Sequence, residues 1–259
     1  MTELSRERRG AHVEVWTIAG EARRNTLTRA LVAEIIGATD SLATAPQLRA
    51  VVITGQGDKA FCAGADLKER SGMSIAEVHA WLDSLRQMTT GLEAARVPFI
   101  AAMNGSAYGG GLELALACDA RVAVETCEMG LTEVTLAILP GAGGTQRLPR
   151  LIGVGRASEL ILTGRRIPAA EAERIGLVNQ LAAPGQTQVK ALELAEGIAR
   201  NGPVAVAAAK SAIQKGLGLS LDQGLSLERT QYEKTLSTQD RLEGLAAFRE
   251  KRKPIYRGE

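Results

Sequence analysis

The chain has 259 residues, 45% of them hydrophobic and 23% charged, which is enough to bury a substantial core in one large or two unequal domains. A net charge of +2, with scattered basic residues and only 3% aromatic residues, argues against a nucleic-acid surface, which needs clustered cations and stacking rings. The charged start MTELSRERRG has no apolar signal segment and no run of about 18 apolar residues follows it, so we expect a soluble protein of a bacterial cytoplasm or of an organelle after processing.

Strands and helices are predicted to alternate over the first two thirds of the chain. Short apolar or alternating runs predict strands at 12–18, 49–55, 99–103, 120–124 and 177–179. Apolar residues at helical spacing predict helices at 27–42, from Ile75 to near Val97, and at 145–152. This alternation favours an α/β core with parallel strands.

From Thr187 onward the sequence predicts helices alone. They lie at 192–199, 203–214, 220–236 and 240–248. We therefore divide the chain into an α/β core at 1–186 and a helical subdomain at 187–259. The third of these helices has a one-sided apolar face, which either packs within the subdomain or contacts another subunit; its residues are Leu221, Leu225, Tyr232 and Leu236.

Cysteine and histidine patterns argue against metal and triad chemistry. Cys62, Cys118 and Cys127 have no CxxC spacing and lie in apolar surroundings, as reduced core residues do. His12 and His79 belong to no metal-ligand pattern, which argues against zinc and against a Ser-His triad. We expect neither a metal nor a redox cofactor.

Residues 97–118 carry one charge in an otherwise neutral stretch, Glu113, which lies just after Gly109–Gly111. The pattern predicts a buried strand, a tight glycine turn and a buried helix with a carboxylate in its first turn. Because burying a carboxylate is costly, Glu113 either caps backbone N–H groups or does acid–base chemistry in a dry cleft. The glycines suit a site where backbone N–H groups meet an anion, but the nucleotide-binding spacings GxGxxG and GxxxxGK[ST] are absent.

Two further motifs accompany this stretch. They are KAFCAGADLKE at 59–69, and Thr132-Glu133-Val134 followed by LPGAGGTQRL at 139–148. Together with NGSAYGGGLELALACD, they make the chain similar to the enoyl-CoA hydratase/isomerase, or crotonase, superfamily over nearly its whole length. Within it, Arg24-Asn25-Thr26-Leu27 and GADLKERSGMSIAEV resemble most the methylglutaconyl-CoA hydratases.

This resemblance implies a fold and an assembly. The fold is a spiral core of ββα repeats with a C-terminal helical subdomain. Crotonase relatives form trimers through this subdomain, and the trimers pair into hexamers. The resemblance therefore favours subunit contact for the apolar face of the third C-terminal helix.

The resemblance also implies a hydration site. The backbone N–H groups of Ala65 and Gly110 would hold the thioester oxygen as it gains charge, and such donors are worth roughly 3–4 kcal/mol each. Glu113 would activate water and Glu133, the only charge between Glu128 and Arg147, would deliver a proton to Cα, although the two roles could be shared.

Further residues would bind the rest of the substrate. Lys68 would contact the coenzyme A phosphates, with Arg24 as a second candidate, and the loop residues Ala63, Asp66 and Leu67 would contact the substrate or its coenzyme A. Arg70, or alternatively a basic residue from a neighbouring subunit, would meet a second carboxylate on the acyl group. Coenzyme A is part of the substrate, so no separate cofactor is implied.

The best match is therefore the reversible hydration of 3-methylglutaconyl-CoA to 3-hydroxy-3-methylglutaryl-CoA. The alternatives are a short-chain enoyl-CoA hydratase, and a double-bond isomerase, which would typically need one carboxylate rather than two. A different class, RNA binding, is attributed to a relative through a lysine-rich helix, but the matching segment 28–48 has no lysine and one arginine, Arg29. A purely structural scaffold is the remaining alternative.

Overall fold

The computed structural model, which describes residues 2–259, contains two β-sheets. In chain order the strands are β1 (Glu3–Arg9), β2 (Val13–Ala19), β3 (Ala50–Gly55), β4 (Ala60–Cys62), β5 (Phe99–Met103), β6 (Ser106–Tyr108), β7 (Ala120–Val124), β8 (Glu128–Gly130), β9 (Ile167–Pro168) and β10 (Gln180–Ala182). The six-stranded sheet has the order β1-β2-β3-β5-β7-β10 and the four-stranded sheet the order β4-β6-β8-β9.

Eleven α-helices connect and cover these sheets in the described chain. They are α1 (Arg29–Ser41), α2 (Leu67–Ser71), α3 (Ile75–Ala94), α4 (Gly110–Leu116), α5 (Gly144–Ile152), α6 (Val154–Thr163), α7 (Ala169–Arg174), α8 (Thr187–Ala199), α9 (Pro203–Gly216), α10 (Leu221–Leu236) and α11 (Gln239–Glu250). A short 3₁₀ helix at Glu133–Leu136 follows β8. None of the helices in residues 2–259 is both long and apolar enough to span a membrane.

The chain winds as a spiral of ββα units. Three successive units place one strand in the large sheet (β3, β5, β7), the next in the small sheet (β4, β6, β8), and then a helical segment. Neighbouring strands of successive units pair in parallel in both sheets. The expected α/β fold, a crotonase-like spiral of ββα repeats, is confirmed.

The continuous apolar strands are explained by burial on both faces of the large sheet. Alternate residues such as Val51 and Ile53 face one core, whereas Val52 faces a second core that α8 covers. Strands buried on both faces lose the apolar–polar alternation of a half-exposed sheet. In the first core Trp16 and Phe99 meet edge to face, with ring centroids 5.2 Å apart.

The sequence predicted none of the four short strands of the small sheet, and the large sheet differs from its prediction at both edges. The charged start forms β1, an exposed strand that pairs antiparallel with β2, and its burial pattern carries no apolar signal. The strand predicted at 177–179 is wrong, because the last strand is at Gln180–Ala182. Leu177 and Val178 are buried in the preceding turn, where their N–H groups donate to the Ala172 carbonyl.

The C-terminal helices agree with their predicted positions within a few residues. A capping box of Ser220 and Gln223 begins α10, as its sequence predicts. Strands end at Ala182, but the buried alanines of α8 pack on the large sheet. The division at residue 187 stays a prediction.

Candidate active site

Two backbone N–H groups come together where β4 and β6 end. The strands pair in parallel, so the chain leaves both in the same direction, towards α2 and α4. Leu27 pairs with the loop after β4, donating to the Gly64 carbonyl and accepting from the Asp66 N–H. The N–H of Ala65, between these two, points to the opposite side and donates to no backbone carbonyl in the described chain. The N–H of Gly110, the first residue of α4, is free of any intrahelical acceptor.

Glycine is required where these two loops meet. A Cβ on Gly64 would lie 2.8 Å from the Tyr108 carbonyl oxygen and 3.4 Å from the Gly110 nitrogen, and Gly64 also has a φ of +89°. A Cβ on Gly110 would lie 3.8 Å from the Ala65 nitrogen, so the two donor residues are direct neighbours. The glycines thus let the two donors face one small volume, as a receptor for a developing oxyanion needs.

Glu113 lies in the first turn of α4 and is 1% exposed. Its Oε1 accepts hydrogen bonds from the N–H groups of Ala142, at 2.8 Å, and Gly144, at 2.7 Å. Burial raises the pKa of Glu113, while the Gly144 and Ala142 N–H groups and the Arg147 charge oppose that rise. These donors fix the position of the Glu113 carboxylate and favour its ionised form against the effect of burial, as a general base would need.

Glu133 begins the 3₁₀ helix after β8 and faces the glycine turn. A Cβ on Gly109 would lie 3.2 Å from Glu133 Oε1, and Gly109 has a φ of +51°. The Oε2 atom is buried without a hydrogen-bond partner. Burial, and next the negative charge of Glu113, raise the pKa of Glu133 to about 7. A carboxyl with this environment carries a proton near neutral pH, as a general acid must.

The two carboxyls, Glu113 and Glu133, lie in different environments. Glu113 has backbone donors that stabilise its charge, whereas Glu133 has an unpaired oxygen and a carboxylate neighbour. Burial raises the pKa of both carboxyls, but only Glu113 has backbone donors that oppose this rise from a neighbouring loop. Two acids held in different surroundings are suited to moving one proton on and another off a single substrate. The pair is therefore chemically able to add water across a double bond beside the oxyanion receptor.

Arg70, on α2, lies on the Glu133 side of the site. It is half-buried, and its charge opposes the rise in the pKa of Glu133 that burial and Glu113 cause. Arg23 and Arg29 pair with Asp66 and Glu77, but the Arg70 side chain makes no ion pair within residues 2–259. It is a cation available to a ligand.

The other predicted substrate residues surround the loop after β4. Asp66 is the N-cap of α2, where it accepts from the Lys68 N–H at 2.9 Å, and it pairs with Arg23 at 3.2 Å. Leu67 and Lys68 are exposed on the first turn of α2. In the structure the Asp66 side chain therefore caps α2 and pairs with Arg23, and its backbone lies in the loop after β4.

A basic pocket of about 480 Å³ lies beside the same loop. Its lining includes Arg24 and Ala63, together with Lys59 and Arg166, and it contains no carboxylate among the residues described. The Ala63 N–H donates to the Arg24 carbonyl at 3.0 Å, and the Arg166 guanidinium lies over the Tyr108 ring. Three cations without an acid suit an anionic group such as a phosphate.

Sequence reasoning missed two of these cations. Lys59 begins a recognised motif, so its position was a usable signal to which we attached no role. Arg166 lies in a segment that joins no motif, and only the antiparallel pairing of β8 and β9 brings it to the pocket.

Comparisons with known proteins identify the family of the chain. The family model for enoyl-CoA hydratase/isomerase matches residues 8–259. YngF of Bacillus subtilis, assigned by name to the enoyl-CoA hydratases and isomerases, is 49% identical over 95% of this chain and 95% of its own length. Human mitochondrial methylglutaconyl-CoA hydratase is 44% identical over 99% of this chain and 76% of its own.

A solved structure supports the same family in three dimensions. The enoyl-CoA hydratase of Bacillus anthracis superposes with a TM-score of 0.97 and is 50% identical, covering 99% of this chain and 100% of its own. The chain therefore belongs to the enoyl-CoA hydratase/isomerase family and is a hydro-lyase that acts on an acyl-CoA thioester.

Proposed function

We propose that the protein catalyses the reversible hydration of 3-methylglutaconyl-CoA to 3-hydroxy-3-methylglutaryl-CoA. The observation that carries the hydration is the pair of carboxyls beside two free N–H groups, with Glu113 held by backbone donors and the pKa of Glu133 raised to about 7 by burial and by Glu113. The proposed acyl group is supported by Arg70 beside Glu133 and by the 44% identity to methylglutaconyl-CoA hydratase.

In the proposed reaction, the N–H groups of Ala65 and Gly110 bind the thioester oxygen. Glu113 takes a proton from water as the water oxygen bonds to Cβ, and the π electrons move towards the thioester carbonyl. Negative charge develops on the oxygen between the two donors, which stabilise it. Glu133 then donates its proton to Cα, and the reverse steps give dehydration.

Both directions need the pair to hold one proton in total. Hydration begins with the proton on Glu133, and dehydration begins with it on Glu113. Isomerisation would typically require one carboxylate to shuttle a proton between carbons, so two differently held carboxyls favour the hydratase over the isomerase members of the family.

The nucleotide part of coenzyme A is proposed to meet the cations around the β4 loop. Arg24, Lys59 and Arg166 line the basic pocket there, and Lys68 is exposed on the adjacent helix. No further cofactor takes part in the proposed reaction, because water and the thioester supply every reacting atom.

Turnover of 3-methylglutaconyl-CoA and crotonyl-CoA, measured side by side, tests the proposed substrate. We expect the higher kcat/KM for 3-methylglutaconyl-CoA, since only its second carboxylate can use Arg70. A higher kcat/KM for crotonyl-CoA would assign the protein to short-chain enoyl-CoA hydration, and turnover of neither thioester would remove the proposed function.

We expect the protein to assemble as trimers, paired into hexamers. The apolar face of α10 is uncovered within its own chain, with Leu221 77% and Tyr232 59% exposed, and Phe248 of α11 is 85% exposed. An apolar surface of this kind in a single chain marks a contact site. Light scattering should give a mass that is a multiple of three chains of 27.3 kDa; a monomer at micromolar concentration would contradict this.

A further inference from the structure

Arg147, on α5, lies behind the loop that holds Glu113. Its Nε and Nη2 donate to the two carboxylate oxygens of Glu93 on α3, at 2.6 and 2.7 Å. Its Nη1 donates to the Ala142 carbonyl at 2.7 Å. A bidentate ion pair fixes the plane of a guanidinium, so the remaining Nη1 donor has a defined direction.

The Ala142 residue links Arg147 to Glu113. Its carbonyl accepts from Arg147, and its own N–H donates to Glu113 Oε1 at 2.8 Å. The Thr89 hydroxyl lies 3.2 Å from the same carbonyl, but its single proton is shared with the Leu85 and Arg86 carbonyls, at 3.1 and 3.2 Å, whereas the Arg147 donor lies at 2.7 Å. Arg147 is therefore the principal donor that holds this part of the loop from behind.

The glycines of the loop fit this arrangement. A Cβ on Gly143 would collide with the Arg147 guanidinium, and Gly143 has a φ of +100°. A Cβ on Gly144 would lie 3.0 Å from Glu113 Oε1. One side of the loop thus admits Arg147 and the other side admits the carboxylate.

The loop needs such a support because solvent space lies behind it. A cavity of about 1720 Å³ separates this region from the C-terminal helices, and its lining includes Ala142, Gly143 and Arg147 but neither Glu113 nor Glu133. Without the guanidinium, water in this cavity would compete for the Ala142 carbonyl. The peptide would then be free to turn, and its N–H would leave Glu113.

We propose that Arg147 is a positioning residue for the reaction: anchored by Glu93, it holds the Ala142 backbone so that Glu113 stays oriented towards water. This inference rests on the base role proposed for Glu113. Arg147 contacts neither the oxyanion donors nor the basic pocket, so its effect passes through Glu113 alone.

The sign of the pH effect follows from the charges around Glu113. Helices α3 and α5 and strands β4 and β6 pack on α4. Their charged or titratable side chains are Glu77, His79, Asp83, Arg86 and Glu93 on α3, Arg147 and Arg150 on α5, Cys62 on β4 and Tyr108 on β6. Glu133 on the 3₁₀ helix also interacts electrostatically with Glu113. Of these, Arg147 is the cation whose charge opposes the rise in the pKa of Glu113 that burial causes. Removing it raises that pKa further, so the base is lost by protonation at a higher pH.

Arg147→Met tests the proposal in the full-length protein. We expect kcat to fall about 10–100-fold, the range in which misplaced catalytic groups act, with KM unchanged and the acidic limb of the kcat/KM profile moved to higher pH. Arg147→Lys keeps the positive charge but lacks the planar guanidinium whose three nitrogens donate to Glu93 and Ala142. It should return the acidic limb to its wild-type pH and recover only part of kcat. Arg150→Met, one turn along α5 on an exposed side chain, is the matched control and should match wild type.

Thermal melting and kcat per folded chain separate positioning from stability. If Arg147→Met lowers only the folded fraction, with normal kcat per folded chain and an unmoved acidic limb, the proposal is overturned. If Arg147→Met does not fold, Arg147→Gln carries the same test, since it is neutral and too short to donate to both partners. Glu113→Gln, assayed in parallel, distinguishes the base role of Glu113 from the positioning role of Arg147. If Glu113→Gln is active, the base role is wrong. If Glu113→Gln is inactive while Arg147→Met has normal activity, only the positioning role is wrong.

Discussion

Replacing either carboxyl of the pair by its amide, as Glu113→Gln or Glu133→Gln, is expected to lower kcat for hydration at least about 100-fold. An amide can neither take the water proton in place of Glu113 nor give one to Cα in place of Glu133. Both variants should bind the coenzyme A moiety as before, because the proposed phosphate contacts lie on the β4 loop and in the basic pocket. Steady-state kinetics with either thioester gives the comparison.

The fold should survive both changes. In Glu113→Gln the side-chain amide oxygen can still accept from the Ala142 and Gly144 N–H groups, since only Oε1 of Glu113 uses them. In Glu133→Gln the amide replaces a carboxyl whose buried Oε2 has no partner, so no existing hydrogen bond of that atom is lost. Unchanged circular dichroism and thermal melting would therefore accompany the loss of activity. Glu125→Gln, an exposed carboxylate on the turn after β7, is the matched control.

A pH profile adds a readout that depends on charge. Because the pair needs one proton in either direction, kcat/KM should fall both when a second proton is added and when the first is lost. The pKa of Glu133, raised to about 7 by burial and by Glu113, places the alkaline limb near pH 7, and the limb should be the same for hydration and dehydration. Glu133→Gln should abolish this limb. A near-wild-type rate in either amide variant would remove that residue from the mechanism.

The sequence was most informative where one short segment supplies a whole feature. The lone Glu113 after Gly109–Gly111 predicted a buried carboxylate in a first helical turn, and that is its position. Of the two possibilities left open for it, the structure shows the capping contact, since Oε1 accepts the Ala142 and Gly144 N–H groups at the start of α5. Its acid–base role stays a prediction. The family resemblance was needed to connect Ala65 with Gly110, because three-residue strands such as β4 and β6 carry little periodicity of their own.

Features made by distant segments were not predictable in this way. The anchor of Arg147 is Glu93, 54 residues earlier, and neither residue has a local pattern that announces the pair. The difference between the two carboxyls depends on N–H groups and charges from α5 and α2, which sequence spacing does not place. Edge strand β1 escaped prediction because its stability comes from main-chain pairing with β2, not from a buried face.

Arg70→Ala is expected to lower kcat/KM for 3-methylglutaconyl-CoA about 30–150-fold and to leave crotonyl-CoA nearly unchanged. A hydrogen bond to a charged group contributes roughly 2–3 kcal/mol, which gives that ratio. Crotonyl-CoA has no second carboxylate and so has nothing to lose at this position. The difference between substrates, measured with one enzyme preparation, cancels any general effect on folding or on coenzyme A binding.

The position of Arg70 makes this the strongest test of the proposed acyl group. The acyl carboxylate would enter a partly buried site beside Glu133, which already lies near the negative charge of Glu113. Without a cation, this carboxylate would lose hydration and be repelled by the nearby negative charge. Arg70 is half-buried there and has no ion-pair partner within residues 2–259. Lys68→Ala, two residues earlier on the same helix, is the matched comparison: by removing a contact to coenzyme A it should weaken both substrates equally. An equal loss on both substrates from Arg70→Ala, or no loss on either, would refute the assignment of Arg70 to the acyl carboxylate.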